Sequence, residues 1–235
     1  MREETYGGLR VRVCGGTDGN GAGSGPLVVL LHGFGAPGDD LVPLAGALRV
    51  AADVRFAFPE APLDLGPEAY GGRAWWWIDM AAPQRAAMRG EAYDRTHTIP
   101  EGLAEARAKV DALLDGVTRD FAPSALVLGG FSQGAMLSCD VVLRSRRPFA
   151  ALALLSGTLI AQQDWEKVAA DRKGLRTLVS HGRGDPVLPF AAAETLRDFL
   201  SGAGLVVEWV PFQGGHTIPP PALAALGKLI ADASR

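Results

Sequence analysis

Cysteine is nearly absent from this 235-residue chain, which has only Cys14 and Cys139. Two thiols cannot build a disulfide framework. Both are expected to be buried and free, in a reducing compartment, which points to the cytoplasm. Positive charge is not in surplus: the formal net charge is −3 and no basic stripe interrupts the sequence. Phosphate backbones require a concentrated excess of Lys and Arg, so nucleic acid is excluded as a partner. Long apolar runs are missing too. The longest, around Phe149–Leu155, falls well short of the ~18 residues a membrane span takes, so no integral membrane segment is expected. The opening Met-Arg-Glu-Glu-Thr-Tyr-Gly-Gly puts charge first with no apolar core behind it, unlike a signal peptide. Histidine is limited to His32, His97, His181 and His216, with no metal-ligand spacing among them. A metal is not expected.

The chain is instead rich in short apolar runs that alternate with helical periodicity. Pro26–His32, Val54–Phe58, Ala125–Phe131, Phe149–Ser156, Arg176–His181 and Val206–Phe212 are apolar on both faces, as strands covered from both sides must be. Leu103, Ala106, Val110, Leu113, Leu114, Val117 and Phe121 recur at three- and four-residue steps, with charged residues opposite, which predicts an amphipathic helix. Ser132–Arg144, Phe190–Ala203 and Pro221–Ala231 also read as helices. Alternation of this kind predicts an α/β fold with a mostly parallel sheet flanked by helices on both faces and right-handed crossovers. The Gly-rich stretch Thr17–Gly25 reads as a flexible turn between early strands. Residues 1–235 are therefore expected to form a single domain.

Gly130-Phe131-Ser132-Gln133-Gly134 fits G-x-S-x-G, the sharp strand-to-helix turn that lifts a serine hydroxyl above a sheet. The apolar run Leu126–Gly129 precedes it and Ala135-Met136-Leu137 opens a helix behind it, the context such an elbow requires. Ser132 is thus the candidate nucleophile. It needs a base, and the base needs an acid to fix its tautomer. In α/β hydrolases the order along the chain is Ser, acid, His. Ser132, Asp185 and His216 satisfy it, each after the C-terminal end of a separate predicted strand, where sites in open α/β sheets collect. Asp171 and Asp198 read as solvated surface charges. His181 is a competing base, disfavoured because it precedes Asp185 in the same loop. For the oxyanion, the backbone amide of Gln133 follows the nucleophile, and the amide of Phe34 in His32-Gly33-Phe34-Gly35 is the second candidate donor. The fold class expected is the α/β-hydrolase fold.

These residues resemble the carboxylesterase/phospholipase family of α/β hydrolases, which includes the acyl-protein thioesterases. The resemblance is carried by Leu31–Gly35, Gly130–Ala135, His181-Gly182-Arg183-Gly184-Asp185-Pro186 and Gly214-Gly215-His216, which together span nearly the whole chain. It implies a compact hydrolase without a large cap domain, acting on esters or thioesters without a cofactor, and it supports the triad and both oxyanion donors. Two departures, Ala36-Pro37-Gly38-Asp39-Asp40 after the first glycine loop and the triple tryptophan Trp75-Trp76-Trp77, favour a small-molecule esterase over a protein depalmitoylase.

The stretch Pro59–Thr98 has little periodicity and is long for a connection, which marks it as a functional segment. Successive side chains of an extended chain alternate in direction, so Trp75, Trp76 and Trp77 cannot all face the core. They are candidates for lining an apolar acyl groove, as is Leu188 from the resemblance; Tyr70, Met80 and Met88 are weaker ones. The expected partner is a small-molecule ester or thioester, with short to medium acyl chains. The expected reaction is ester hydrolysis through an acyl-enzyme. A thioesterase or lysophospholipase with the same triad, and a non-catalytic binding protein of this fold, are the alternatives. Nothing in the sequence decides for or against a homo-oligomer.

Overall fold

Apolar strands with both faces occupied demand a layer of helices on each side, and that is the arrangement found. A computed structural model describes residues 1–90 and 94–234. An N-terminal hairpin, β1 (Arg2–Tyr6) and β2 (Leu9–Gly15), leads through the Gly-rich turn into β3 (Leu27–Leu31). There follow α1 (Leu44–Ala47), β4 (Arg55–Pro59), a two-stranded flap of β5 (Leu63–Asp64) and β6 (Arg73–Ala74), and α2 (Ala82–Met88). The second half alternates regularly: α3 (Leu103–Phe121), β7 (Leu126–Phe131), α4 (Gln133–Arg144), β8 (Ala151–Leu155), α5 (Gln162–Trp165), β9 (Arg176–Gly182), α6 (Phe190–Gly202), β10 (Val206–Phe212) and α7 (Pro220–Ala233).

The main sheet has eight strands in the order β1-β2-β4-β3-β7-β8-β9-β10. The ladder is parallel from β4 through β10 and antiparallel at the β1–β2 and β2–β4 pairs. Alternation along the strands divides the core. Leu27, Val29 and Leu31 of β3 join Leu152 and Leu154 of β8 on the face that packs α3 and α4. Val28 and Leu30 join Phe56, Phe58 and Leu155 on the face that packs α7 through Leu226, Leu229 and Ile230. β2 differs: Leu9, Val11 and Val13 are buried while Arg10, Arg12 and Cys14 alternate outward. Cys14 is therefore only half-buried, against the expectation of two buried thiols, because its face of the sheet is incompletely covered there; Cys139, inside α4, is buried.

β3 is where the chain changes direction. It connects first to β4 on one side, and the later strands build outward from β7 on the other. Loops leaving β3 and β7 diverge at such a point and open a crevice at the carboxyl edge of the sheet. α4 is anchored beneath that crevice by the buried Asp140, whose carboxylate accepts from Trp165 Nε1 at 2.8 Å and from the guanidinium groups of Arg107 and Arg144 at 2.5 and 2.9 Å. A buried carboxylate is tolerated only when its charge is paired and its lone pairs are filled in this way.

Candidate active site

Ser132 ends β7 and caps α4 with φ 55° and ψ −116°, a conformation an L-residue adopts only where the surroundings enforce it. The enforcement comes from close packing of the turn. A Cβ at Gly134 would collide with the carbonyl of Leu31, and one at Gly130 would lie 2.5 Å from the Gly134 carbonyl carbon. Both positions therefore exclude any side chain. The β3 loop passes directly over the elbow: a Cβ on Gly33 would stand 3.3 Å from Ser132 Cβ.

Asp185 and His216 arrive from the loops after β9 and β10. Those loops remain zipped beyond the strands, with Arg183 N donating to Phe212 O at 2.8 Å and Gly184 N to Gly214 O at 2.9 Å. The Asp185 carboxylate is fully buried. Its Oδ1 accepts from the amides of Val187 and Leu188 at 2.8 and 2.9 Å, and its Oδ2 lies 2.6 Å from His216 Nδ1. Nδ1 therefore carries the hydrogen, and Nε2 is left with a lone pair. The His216 ring also packs on Phe131, the residue before the elbow serine, at 4.7 Å between centroids. Of the other histidines, His97 is exposed, and His181 is buried with its Nε2 on Leu188 O at 2.9 Å. Asp171 and Asp198 are exposed, as expected.

His32 is buried behind the β3 loop. Its Nδ1–H donates to Gly33 O at 2.8 Å and its Nε2 accepts from Ala61 N at 3.0 Å. Burial, chiefly, holds its pKa below the usual histidine range, so the ring is neutral and braces the loop that carries Phe34. Among the described residues, the backbone amides of Phe34 and Gln133 donate to no backbone acceptor. The Gln133 side chain does something the sequence reading missed. Its Oε1 accepts from Trp75 N at 3.0 Å and its Nε2 donates to Trp76 O at 2.8 Å, clamping the tryptophan segment to the elbow.

Ser132 and His216 line one cavity of about 420 Å³, together with Phe34, Met80, Leu188 and Val187. Ile78, Gln84, Arg95, Met136 and Pro186 complete its wall; none of these was singled out from sequence, because each is unremarkable without its neighbours. The three tryptophans separate. Trp75 is a correction: it is 2% exposed, donates Nε1–H to His32 O at 2.9 Å, and lines no wall of this cavity. A buried indole takes a place where its N–H finds an acceptor, and here that place is the core behind the β3 loop. Trp76 is also buried, and lines a neighbouring cavity of about 140 Å³ that shares Ile78, Arg95 and Met136 with the first. Trp77 is 67% exposed and stands edge-on to Phe34 at 6.0 Å. Met80 lines the cavity, whereas Tyr70 and Met88 point into solvent and do not. Residues 91–93 of the irregular stretch lie outside the described residues. Among the described residues no helix is long and apolar enough to cross a membrane.

The family described as Phospholipase/Carboxylesterase matches residues 21–233. An acyl-protein thioesterase 1 from Kluyveromyces lactis is 28% identical over 185 residues, covering 74% of this chain and 75% of that protein. Another from Gibberella zeae is 25% identical over 207 residues, covering 83% and 85%. Among solved structures, esterase PE8 superposes with a TM-score of 0.78 at 29% identity, covering 96% of this chain and 99% of that one. Zea mays acyl-protein thioesterase 2 shares the fold, with a TM-score of 0.73 at 20% identity over 95% and 99% of the two chains.

Proposed function

The chain belongs to the phospholipase/carboxylesterase family of α/β hydrolases, and on that premise we propose that it is a serine carboxylesterase working through an acyl-enzyme. The observation that carries this reading is the buried Asp185 carboxylate 2.6 Å from His216 Nδ1, with His216 and Ser132 on the wall of one cavity. In this reading His216 Nε2 takes the proton of Ser132 Oγ as the oxygen attacks the ester carbonyl. The negative charge that develops on the carbonyl oxygen is met by the amides of Phe34 and Gln133, the latter at the N-terminus of α4 where the helix dipole adds to it. His216 then gives the proton to the departing alcohol. Water repeats the sequence on the acyl-Ser132 ester and releases the acid. No metal or cofactor enters.

The cavity is of small-ligand size, and its Ile78, Met80, Met136, Val187 and Leu188 side chains suit a short to medium acyl chain. Trp77 and Trp76 extend the apolar surface beside it. A second reading is acyl thioester hydrolysis with the same triad, favoured by the thioesterase names of relatives 28% and 25% identical to the chain.

A p-nitrophenyl ester series from acetate to palmitate, run with wild type and Ser132→Ala, tests the main reading. Turnover that peaks at one chain length and collapses in the variant supports it, and equal turnover by both proteins removes it. Matched oxygen and thioester substrates of the preferred length separate the two readings by their kcat/KM.

A further inference from the structure

Asp185 serves two imidazoles. Its Oδ2 lies 2.6 Å from His216 Nδ1 and 3.3 Å from His181 Nε2, and neither Asp185 nor His181 exposes any side-chain surface. The hydrogen on His181 is located by its neighbours. Nε2 faces Leu188 O at 2.9 Å as well as the carboxylate; both are acceptors, so Nε2 carries the hydrogen. Nδ1 is buried and has no hydrogen-bond partner among the described residues. A second proton there would be a buried cationic N–H without an acceptor, so the ring is neutral. Burial holds its pKa down, against smaller raising effects from the Leu188 bond and Asp185.

An orphaned ring nitrogen is a poor choice for filling space, since an apolar side chain of similar size leaves nothing unpaired. What offsets it is the work of Nε2–H. Leu188 N is already bound to Asp185 Oδ1, so tying Leu188 O to β9 through His181 closes the acid loop on itself. The same hydrogen approaches the carboxylate oxygen that His216 uses. We propose that His181 is a positioning residue for Asp185: its Nε2–H, shared between Leu188 O and Asp185 Oδ2, fixes the carboxylate for His216 and draws off part of its charge. This rests on the Ser132–His216–Asp185 reading and deepens it.

The titratable groups bearing on His181 are Asp185 from its own loop and His216 from the loop after β10. From α6 it meets the Phe190 ring at 6.2 Å, over which Arg183 stacks at 4.8 Å, and Pro211 is its register partner on β10. Without the Nε2 donor, Asp185 turns more freely and presents its full charge to His216. The imidazolium form, which is inactive as a base, is then favoured, so the acid limb of the pH–rate profile moves to higher pH.

The test compares His181→Leu, His181→Asn and His181→Gln with wild type and Ser132→Ala, reading kcat and KM on p-nitrophenyl butyrate across pH. The rate of fluorophosphonate labelling of Ser132 gives the same readout without a substrate. Gln reaches the Nε2 position with an amide donor; Asn is one bond too short and Leu has none. The expected result is a kcat or labelling rate lowered roughly 10- to 100-fold in Leu and Asn, with KM unchanged, an acid limb moved upward, and recovery in Gln. Leu or Asn with the wild-type rate and limb overturns the proposal, as a merely structural role would lower only the melting temperature. If Leu does not fold, equal rates and limbs in Asn and Gln overturn it. Failure of the triad reading is distinct: Ser132→Ala would then keep its activity.

Discussion

The side chain of Gln133 grips the backbone of Trp75, accepting its amide hydrogen at 3.0 Å while donating to the next carbonyl, that of Trp76, at 2.8 Å. All three residues are buried. The residue whose amide is proposed to meet the oxyanion thus also secures the segment that walls the site. Gln133→Leu leaves the Trp75 N–H and the Trp76 carbonyl unsatisfied, at about 1–3 kcal/mol each. We expect urea unfolding to show a loss of roughly 2–6 kcal/mol, with the backbone amide of residue 133 still in place.

Removal of members of the proposed triad is expected to be severe and non-additive. Ser132→Ala and His216→Ala each should lower kcat by roughly 10⁴- to 10⁶-fold, and the double variant should be no worse than either. Asp185→Asn should lose less activity than either single variant, but it loses stability in addition: with its oxygen held by the amides of Val187 and Leu188, the new NH2 group faces the N–H donors of His216 and His181, and buried donors are left unpaired. Steady-state kinetics combined with thermal melts on the four proteins separates the two effects.

Stability should fall below neutral pH for a reason seated in two buried histidines. His32 and His181 both have pKa values pushed below 6.5 by burial, whereas in the unfolded chain they titrate near that value. Between the two pKa values the unfolded state binds more protons, so stability is full above about pH 6.5 and is lost as pH falls toward the folded values. Each contributes up to about 1.4 kcal/mol per pH unit. Urea unfolding between about pH 7.5 and 5.5 should show the slope. His32→Gln, which keeps an acceptor for Ala61 N, should flatten it by up to one proton.

The two thiols should report differently on the fold. Cys139 is buried in α4, and burial followed by the Asp140 charge holds its pKa well above the ordinary thiol value. Cys14 is half-buried, with a pKa raised mainly by burial. A thiol reagent such as DTNB should reach Cys14 slowly in the native protein and Cys139 only on unfolding. Equal reaction of both in native protein would contradict the packing of α4.

How far the site was legible in the sequence follows from which interactions are local. The elbow was legible because Gly130, Ser132 and Gly134 are a steric requirement five residues long, and strands such as β3, β7 and β8 because burial on both faces leaves unbroken apolar runs. Strand order along the chain then brought Asp185 and His216 to the same edge as Ser132. The β1 strand of the hairpin was less legible, since Arg2, Glu3 and Glu4 give it no apolar run. The clamp of Gln133 on Trp75, 58 residues apart, leaves no mark on any local pattern, and the second histidine on Asp185, four residues before it, reads from sequence only as a competing base. They depend on where the irregular stretch and the acid loop settle.

That stretch also supplies the test of substrate contact, because its tryptophans have different tasks. Trp75 binds His32 O through Nε1 in the core, so Trp75→Phe orphans a buried carbonyl and should destabilise by about 1–3 kcal/mol. Its effect on chain-length preference should be small, since the indole lines no wall of the cavity that holds Ser132 and His216. Trp77 is 67% exposed beside Phe34 and has little to lose on truncation. Trp77→Ala should melt close to wild type and yet raise KM for the longer p-nitrophenyl esters more than for acetate, because only a longer chain reaches past Phe34 to the indole. Met136 lines both the cavity that holds Ser132 and His216 and the smaller one beside it, so Met136→Ala should join them and move the optimum toward longer chains. An unchanged chain-length profile in both variants, with the fold intact, would mean that the acyl chain leaves the site by another wall.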